Sequence, residues 1–209
     1  KRQGVPVDTL ALNVALGTGV VADRLEEVEV VIQEAAQVDI VSYNTLLKGH
    51  AQRSDIVKAH EALQSLLGRG LKPNAITFNT IMDAAVRSGD FTGTWQVLDE
   101  MESAGFTPDR FTCSIIVKGL SKFPRDGVAS AIQETYIKNV LKLIRKVAPS
   151  FDKAFLSQML HSVFEACDPI PSLAQEVVLE MRHQQVALSS STQKQLLKAI
   201  TRMAKKGSS

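Results

Sequence analysis

The most constraining feature of the sequence is a pattern that occurs twice between residues 38 and 109. The segment VSYNTLL at residue 41 recurs as ITFNTIM at residue 76, and the closing segment LKPN at residue 71 recurs as FTPD at residue 106. Both recurrences lie 35 residues further along the chain. Self-similarity at a fixed period of about 20–50 residues marks a repeat array, in which each unit stacks on its neighbours. The sequence therefore predicts repeats and not a fold built around one central core.

Each copy contains two stretches with helical periodicity. Apolar residues recur at spacings of three and four on both sides of a polar break, near Ser54 in the first copy and near Gly89 in the second. Gly70 and Gly105 follow the second stretches, where a left-handed helix end is easiest, and a proline three residues later stops any helix. One such pair cannot bury both of its faces alone. We therefore predict an all-α chain that forms a right-handed α-solenoid of stacked helix-turn-helix repeats.

Imperfect copies of the unit lie upstream and downstream. We predict a single α-solenoid over residues 1–209, in which a second helix at residues 23–36 completes the first repeat and one at 128–147 completes the fourth. The predicted segments are the regular repeats 9–39, 40–74 and 75–109, the irregular repeats 110–150 and 151–189, and a partial repeat and tail at 190–209.

Composition narrows the possible functions. Hydrophobic residues make up 44% of the chain and charged residues 22%, which is typical of an ordered protein. Cys113 and Cys167 are too few for a disulfide framework or a metal site, and no apolar run reaches the roughly 18 residues of a membrane span. The four histidines do not cluster, no carboxylate pair is marked out, and no Gly-rich phosphate loop occurs. We therefore expect no enzyme activity, no catalytic residue, no metal, no cofactor and no membrane insertion.

The small net charge of +2 conceals an asymmetry along the chain. Residues 110–209 carry 15 Lys and Arg against 7 Asp and Glu, whereas the rest of the chain is acidic. A basic half favours a polyanionic partner. Two basic stripes lie in this half, each on one helix face, and each is either a solvated face or a track for phosphates; the second is the better candidate for a track. The stripes are Lys138, Lys142, Arg145 and Lys146, and Lys194, Lys198, Arg202 and Lys205.

At the duplicated openings and closings, the sequence resembles the pentatricopeptide repeat family. The period of 35 residues also matches this family and not the related tetratricopeptide repeat, whose period is about 34 and whose tryptophan-containing opening is absent. The resemblance implies that each repeat binds one base of single-stranded RNA through two or three side chains. The array would then act in the processing, stability or translation of transcripts in a mitochondrion or plastid.

By this resemblance, the base-reading residues are an asparagine in the first helix and the last residue of the repeat. The pairs are Asn13 with Asp39, Asn44 with Asn74, and Asn79 with Asp109. In the family, Asn with Asp resembles a uracil-binding pair and Asn with Asn a pair for cytosine or uracil, so the implied target is pyrimidine-rich, 5′-U-(C/U)-U-3′. An amide that both donates and accepts suits a pyrimidine edge. The alternative is that each asparagine only caps a helix or forms a turn.

The resemblance also assigns residues that hold the base and the backbone. Each implied sandwiching residue lies two positions after a closing residue, where an apolar side chain is otherwise core; these are Leu10, Val41, Ile76 and Phe111. The implied phosphate contacts are basic residues on first helices; these are Arg87 and Lys122, to which the second stripe adds Lys194, Lys198 and Arg202.

The later repeats depart from this pattern. The fourth repeat offers Ser114 with, at best, Ser150, and the fifth has Phe155 in the place of asparagine and closes with Ser189. Neither is assigned a base. This irregular, basic half supports an alternative hypothesis, a structural solenoid subunit of a larger organellar assembly such as a mitochondrial or plastid ribosome, with other proteins of a ribonucleoprotein as partners. A third hypothesis is the RNA-targeting region of an RNA-processing enzyme.

Overall fold

The computed structural model describes residues 8–123, 130–167, 170–187 and 193–194. These residues form ten α-helices and two short 3-10 helices, and they contain no β-strand. The prediction of an all-α fold of stacked helix pairs is confirmed, whereas the exact division into repeats stays a prediction. Among the described helices, none is long and apolar enough to cross a membrane. The chain divides into two compact units, Lys1–Thr107 and Pro108–Ser209.

The first unit contains three helix pairs. In each pair, a first helix packs against its own second helix, and neighbouring first helices pack side by side. The second helix of the first repeat is shorter than predicted, because it begins after the left-handed Asp23 and ends at the extended Ala35. The helices are α1 (Thr9–Val21), α2 (Leu25–Glu34), α3 (Ile40–Gln52), α4 (Ile56–Gly68), α5 (Ala75–Ser88) and α6 (Phe91–Ser103).

Polar residues begin the first helices in the same way. The Asp39 carboxylate accepts a hydrogen bond from the backbone N–H of Ser42 at 2.9 Å, and the Asn74 side-chain oxygen accepts one from Thr77 at 3.1 Å. Asp8 caps α1 by accepting from the backbone of Leu10. A cap of this kind contributes about 1 kcal/mol to helix stability. The residue that closes one repeat therefore also starts the first helix of the next.

Apolar side chains fill the space between these helices. Leu47, Ile81 and Met82 are almost completely buried, and so is Tyr43, whose hydroxyl lies 2.9 Å from that of Ser65. Burial of such side chains contributes roughly 1.5–3 kcal/mol each. The helix pairs of the first unit are therefore held at fixed spacing by a continuous apolar interior.

Arg69 connects the second helices of successive repeats. It lies just after α4 and donates to the carbonyl oxygens of Ile32, Gln33 and Ala35 at 2.9, 2.9 and 3.1 Å. The last carbonyls of a helix have no partner within the helix. Arg69 thus completes the end of α2, where the shortened first repeat lacks a glycine cap.

The second unit contains two further pairs. The helices are α7 (Arg110–Gly119), α8 (Ala131–Val147), α9 (Lys153–Ala166) and α10 (Pro171–His183), with 3-10 helices at Leu120–Lys122 and Ala148–Ser150. Tyr136 of α8 donates its hydroxyl to the carbonyl of Ile116 at 2.7 Å and lies against Gly119, where any side chain would collide with its ring. Arg145 joins α8 to α10 through Glu180 at 2.7 Å and Glu176 at 2.9 Å.

The start of α9 differs from the predicted repeat boundary. Ser150, the predicted closing residue, ends a 3-10 turn that contains Pro149, and the residue that caps α9 is Asp152, which accepts from the N–H of Phe155 at 2.9 Å. The chain runs straight from α8 into this turn, because no glycine follows α8 as left-handed Gly70 follows α4. By capping position, the counterpart of Asp39 is therefore Asp152, two residues later than expected.

Candidate nucleic-acid interface

The first base-reading pair lies in one hydrogen-bonded group. Asn13 donates its side-chain amide to the carboxylate of Asp39, at 3.2 Å to Oδ1 and 3.3 Å to Oδ2. The Ser42 hydroxyl donates to Asn13 Oδ1 at 2.6 Å. The two predicted residues are therefore in direct contact, and both are half-buried. Ser42 is a third member of the group that the sequence reasoning did not identify.

The second pair repeats this arrangement. Asn44 donates to Asn74 Oδ1 at 3.3 Å, and the Thr77 hydroxyl donates to Asn44 Oδ1 at 2.8 Å. Thr77 is fully buried and, like Ser42, is the third residue of its helix and part of a capping box. A hydroxyl residue three positions after the closing residue was the available sequence signal, and Thr112 occupies the same position after Asp109.

These contacts orient each asparagine amide. The Asp39 carboxylate can only accept hydrogen bonds, so the Asn13 nitrogen must face it. Asn74 Oδ1 accepts a hydrogen bond from the Thr77 N–H, so this oxygen faces the group and Asn44 must turn its own nitrogen toward it. A primary amide has two N–H donors and two lone pairs on its oxygen. With one of each engaged inside the group, one donor and one acceptor remain. This is the complement required to pair with one edge of a pyrimidine.

Asp39 remains charged in this position. Burial acts to raise the pKa of its carboxyl group, but hydrogen bonds from the Ser42 backbone, the Asn13 amide and the Ser42 hydroxyl outweigh burial, and the pKa is lowered. A charged carboxylate accepts a stronger hydrogen bond than a neutral one. The Asn13 amide is therefore held by an anion at neutral pH.

The third predicted pair is divided between the two units. Asn79 is half-buried in α5, and Asp109 caps α7 by accepting from the backbone N–H of Thr112 at 2.8 Å. The Thr112 hydroxyl also lies 2.9 Å from the Asp109 carboxylate. Asp109 therefore occupies the same capping position as Asp39 and Asn74, and its pairing with Asn79 stays a prediction.

The predicted sandwiching residues are exposed. They are apolar side chains in the first turn of a helix, where burial in the core was the alternative interpretation. Their exposed fractions range from half to three quarters of the side chain, and are 71% for Leu10, 50% for Val41, 62% for Ile76 and 74% for Phe111. Exposed apolar groups next to half-buried polar ones provide the two kinds of surface that a nucleobase requires, a stacking face and a hydrogen-bonding edge.

The predicted phosphate contacts are not equivalent. Arg87 forms an ion pair with Asp83 on its own helix at 2.5 Å, which offsets its charge. Lys122 and Lys194 are exposed. Lys198 and Arg202 lie outside the described residues, as does Lys205 of the same stripe. Of the predicted set, Lys122 is therefore the best-defined exposed cation.

The basic stripe on α8 is largely used within the second unit. Lys138 pairs with Glu134 at 2.6 Å, and Arg145 pairs with Glu176 and Glu180. Burial opposes ionisation of Glu180, but its hydrogen bond from Arg145 outweighs this, and the pKa of Glu180 is lowered. Arg145 thus joins α8 to α10 and Lys138 is paired within its own helix, so the stripe supports the structural interpretation better than a phosphate track.

The reading position changes character in the second unit. Counted from the capping residues, Ser114 and Ser157 correspond to Asn13, and Phe155 corresponds to Ser42. The Ser114 hydroxyl donates to the Arg110 carbonyl of its own helix at 2.7 Å, and Arg110 forms an ion pair with Asp152. The predicted match of Phe155 to the asparagine position is therefore shifted by two residues. The amide group seen in the first unit has no counterpart here among the described residues.

The remaining candidate groups are the two cysteines and the buried histidine His50. In the described parts of the chain, no three metal-binding side chains come together. Burial raises the pKa of the Cys113 and Cys167 thiols to about 12, so both are unreactive near neutral pH. Buried His50 lies 3.1 Å from Glu29, and burial lowers its pKa although Glu29 acts to raise it.

Comparisons with known proteins bear on the repeat pattern and the fold. A model of the PPR repeat family matches residues 38–85 and 73–122. No curated protein matches the sequence. The fold is similar to the crystal structure of the Arabidopsis thaliana PPR domain of protein-only RNase P 1 in complex with tRNA, with a TM-score of 0.66 and 14% identity over 92% of this chain and 98% of that one.

A second similar structure is that of the pentatricopeptide repeat protein PPR10 in complex with an 18-nucleotide psaJ RNA element, with a TM-score of 0.61 and 20% identity over 95% of this chain. The crystal structure of PPR10 from maize is similar with a TM-score of 0.52 and 21% identity over 96% of this chain. The chain spans about a third of PPR10, covering 29% and 33% of these two structures. Residues 38–122 therefore match pentatricopeptide repeats, and the chain as a whole has a helical fold similar to that of pentatricopeptide repeat proteins.

Proposed function

We propose that the chain binds single-stranded RNA, with one base at each of the repeats 9–39, 40–74 and 75–109. The observation that carries this proposal is the oriented asparagine amide, which occurs twice with partners at equivalent positions, at Asn13 and at Asn44. A mere helix cap would not require the hydroxyl of the next repeat to hold the amide of the previous one. The RNA complexes of PPR10 and of the RNase P 1 repeat domain are consistent with this function.

The proposed target is the pyrimidine sequence 5′-U-(C/U)-U-3′. Uracil offers one N–H donor next to a carbonyl acceptor, which complements the free lone pair and the free N–H of Asn13. At the second repeat the partner is Asn74, whose own amide nitrogen adds a donor that a carboxylate lacks. This donor suits the unprotonated ring nitrogen of cytosine, so the second position accepts either pyrimidine.

The energetics indicate weak binding by this chain alone. Stacking contributes roughly 1–3 kcal/mol per base, or roughly 3–9 kcal/mol over three bases. Association costs on the order of 4–15 kcal/mol. Tight binding would therefore need further repeats or a partner. For comparison, this chain spans about a third of PPR10.

The proposed setting is a mitochondrion or plastid, where the array would act in RNA processing, stability or translation without catalysing a reaction itself. A second candidate function is that of a structural subunit in a larger organellar ribonucleoprotein. The specific observation in its favour is the second unit, where serine replaces the reading asparagine and the α8 cations are engaged in ion pairs.

Titration of the chain with short RNAs that contain UCU or AAA tests the proposal. We expect the UCU strand to bind roughly a hundredfold tighter, since about 1 kcal/mol of hydrogen bonding per base adds over three bases. Asn44→Ala should reduce this difference, whereas Gln52→Ala on the exposed end of the same helix should not. Equal affinity for the two strands would refute base-specific binding and favour the structural role.

A further inference from the structure

The helix pair α1 and α2 carries an open apolar groove. The groove lies between the two helices and has a volume of about 340 Å³, and we call it the α1–α2 groove. Its lining consists of small and apolar side chains, apart from Thr18 and the mutually paired Arg24 and Glu27. No residue of α1 is charged, and Val21 at its end is 89% exposed. Because a helix with apolar residues on every side is normally buried, this surface suits a partner better than it suits water.

The following repeat shows what fits such a groove. Helix α3 begins 31 residues after α1, and α4 begins 31 residues after α2, so that His50 corresponds to Gly19 of the groove. In the second repeat, α2 occupies the position of a partner, because Leu25 lies against Gly49 and Glu29 lies 3.1 Å from His50. The space that remains beside α2 is only about 80 Å³, compared with about 340 Å³ in the α1–α2 groove. The groove is therefore suited to bind one amphipathic helix.

The segment 192–205 has the sequence of such a helix. Its apolar residues recur at spacings of three and four, which predicts one helix with Leu196, Ile200 and Met203 on one face. The second basic stripe then lies on the opposite face. Most of the segment lies outside the described residues, so this helix is a prediction from the sequence. An apolar face of this kind is what a groove between two helices binds.

The groove and this segment also carry opposite charges. Residues 190–209 contain five Lys and Arg and no Asp or Glu, whereas residues 8–36 contain six Asp and Glu and one Arg. Arg53 pairs with Asp23 and Glu26 and reduces this acidic excess by one, to a net charge of −4. Opposite charges favour the encounter of two surfaces and select against partners of like charge. The segment therefore matches the groove in both its apolar pattern and its charge.

We propose that the predicted helix 192–205 of one copy of the chain binds in the α1–α2 groove of a second copy. Its apolar face fills the groove as α2 fills the corresponding space in the second repeat, and its cations face the acidic surroundings of α2. Because the groove and the segment are different parts of the chain, the contact is head-to-tail. Association brings the repeats of two copies together, and it requires no RNA.

A labelled peptide of residues 190–209, titrated with the full chain and followed by fluorescence anisotropy, tests the contact without RNA. Val31→Lys places a cation on the partly exposed wall of the groove and should weaken peptide binding about tenfold. Val57→Lys is the matched control, because Val57 is an exposed valine on α4 that does not line the groove, and it should leave the affinity unchanged. A peptide that carries both Leu196→Ser and Ile200→Ser should not bind, although its charge is the same.

Sedimentation of the full chain at increasing concentration measures the association itself. We expect the mass to rise above that of a single chain in the wild type and in Val57→Lys, and to stay at that of a single chain in Val31→Lys. A peptide that does not bind, or that binds Val31→Lys as well as the wild type, would leave the groove to a different helix and refute the proposal. Association that Val31→Lys does not reduce would place the contact between copies elsewhere and refute it as well.

Discussion

The hydroxyl three positions after each closing residue helps to fix the direction of the base-reading amide. Thr77 uses one hydroxyl to accept from the Asn74 backbone at 3.1 Å and to donate to Asn44 at 2.8 Å. Ser42 does the same for Asp39 and Asn13. Without the hydroxyl, the asparagine amide keeps only its contact with the closing residue and is oriented less firmly. Base selection therefore depends on a residue that need not contact the base.

Thr77→Val tests this dependence, because it keeps the shape of the side chain and removes the hydroxyl. We expect weaker discrimination between UCU and UAU strands and a loss of about 1–2 kcal/mol in the free energy of unfolding. Thr77→Ser keeps the hydroxyl and should restore the discrimination despite the lost methyl group. Titrations of both variants under conditions where they remain folded make the comparison. If Thr77→Val discriminates as well as the wild type, the hydroxyl does not orient Asn44.

Asn79→Ser tests whether Asn79 of the first unit and Asp109 of the second act as a base-reading pair. Serine with aspartate resembles a guanine-binding pair of the family, so the variant should move the preference at the third base from uracil toward guanine. Asn44→Ser serves as the comparison, since it should alter the second base and leave the third unchanged. The measurement is a set of titrations in which only one base of the RNA differs. An unchanged third base would show that Asn79 and Asp109 do not act together.

His50 makes the stability of the first unit depend on pH. Its folded-state pKa is lowered from the ordinary value of 6.5, chiefly by burial, so the unfolded chain takes up its proton first as the pH falls. Stability is therefore complete above pH 6.5 and decreases as the pH falls below that value toward the folded pKa. We expect urea unfolding to show a smaller loss between pH 7.5 and 5.5 in His50→Gln than in the wild type. His60→Gln, at an exposed histidine, is the control and should leave the loss unchanged.

Arg69 is the clearest case of one helix completing the end of another. It supplies a charged donor to three carbonyls at the end of α2, and α4 positions it. Arg69→Met should lower the free energy of unfolding by about 1–2 kcal/mol, and amide exchange should increase first in α2. Lys72→Ala, at an exposed lysine nearby, is the control. Equal stability of Arg69→Met and the wild type would mean that solvent satisfies these carbonyls equally well.

The helices could be predicted where local chemistry repeats, and less well where it does not. Asp39, Asn74 and Asp109 are both repeat ends and helix caps, so their positions follow directly from the 35-residue spacing. At α9 the proline of Pro149-Ser150 suggested the same boundary, but a 3-10 turn displaces the cap to Asp152. Such a turn depends on how α8 continues, which spacing alone does not reveal. The hydroxyl residues Ser42 and Thr77 were missed because their role depends on contacts with the preceding repeat.

The charge of the chain is unevenly distributed, but only part of its basic half is available to an anion. Lys138 and Arg145 of α8 are neutralised by Glu134, Glu176 and Glu180, and Arg87 of α5 by Asp83. Ion pairs between exposed groups contribute little to stability, yet each one offsets a charge that would otherwise attract a phosphate. The formal excess of Lys and Arg therefore overstates the attraction of the described residues for RNA.

Lys122, in the 3-10 helix that follows α7, and Arg87, near the end of α5, make this difference measurable. Each phosphate contact with single-stranded RNA contributes about −0.7 to the slope of log affinity against log salt concentration. Lys122→Ala should therefore reduce the steepness of that slope by about 0.7. The reason is that Lys122 is exposed and forms no ion pair with another described residue. Arg87→Ala should reduce the slope less, because Asp83 already neutralises the guanidinium. Titrations with a UCU strand between 50 and 200 mM salt, a range over which counterion release changes affinity strongly, make the measurement. A larger change for Arg87→Ala than for Lys122→Ala would mean that RNA displaces Asp83, and that the ion pair is a resting arrangement of a phosphate site.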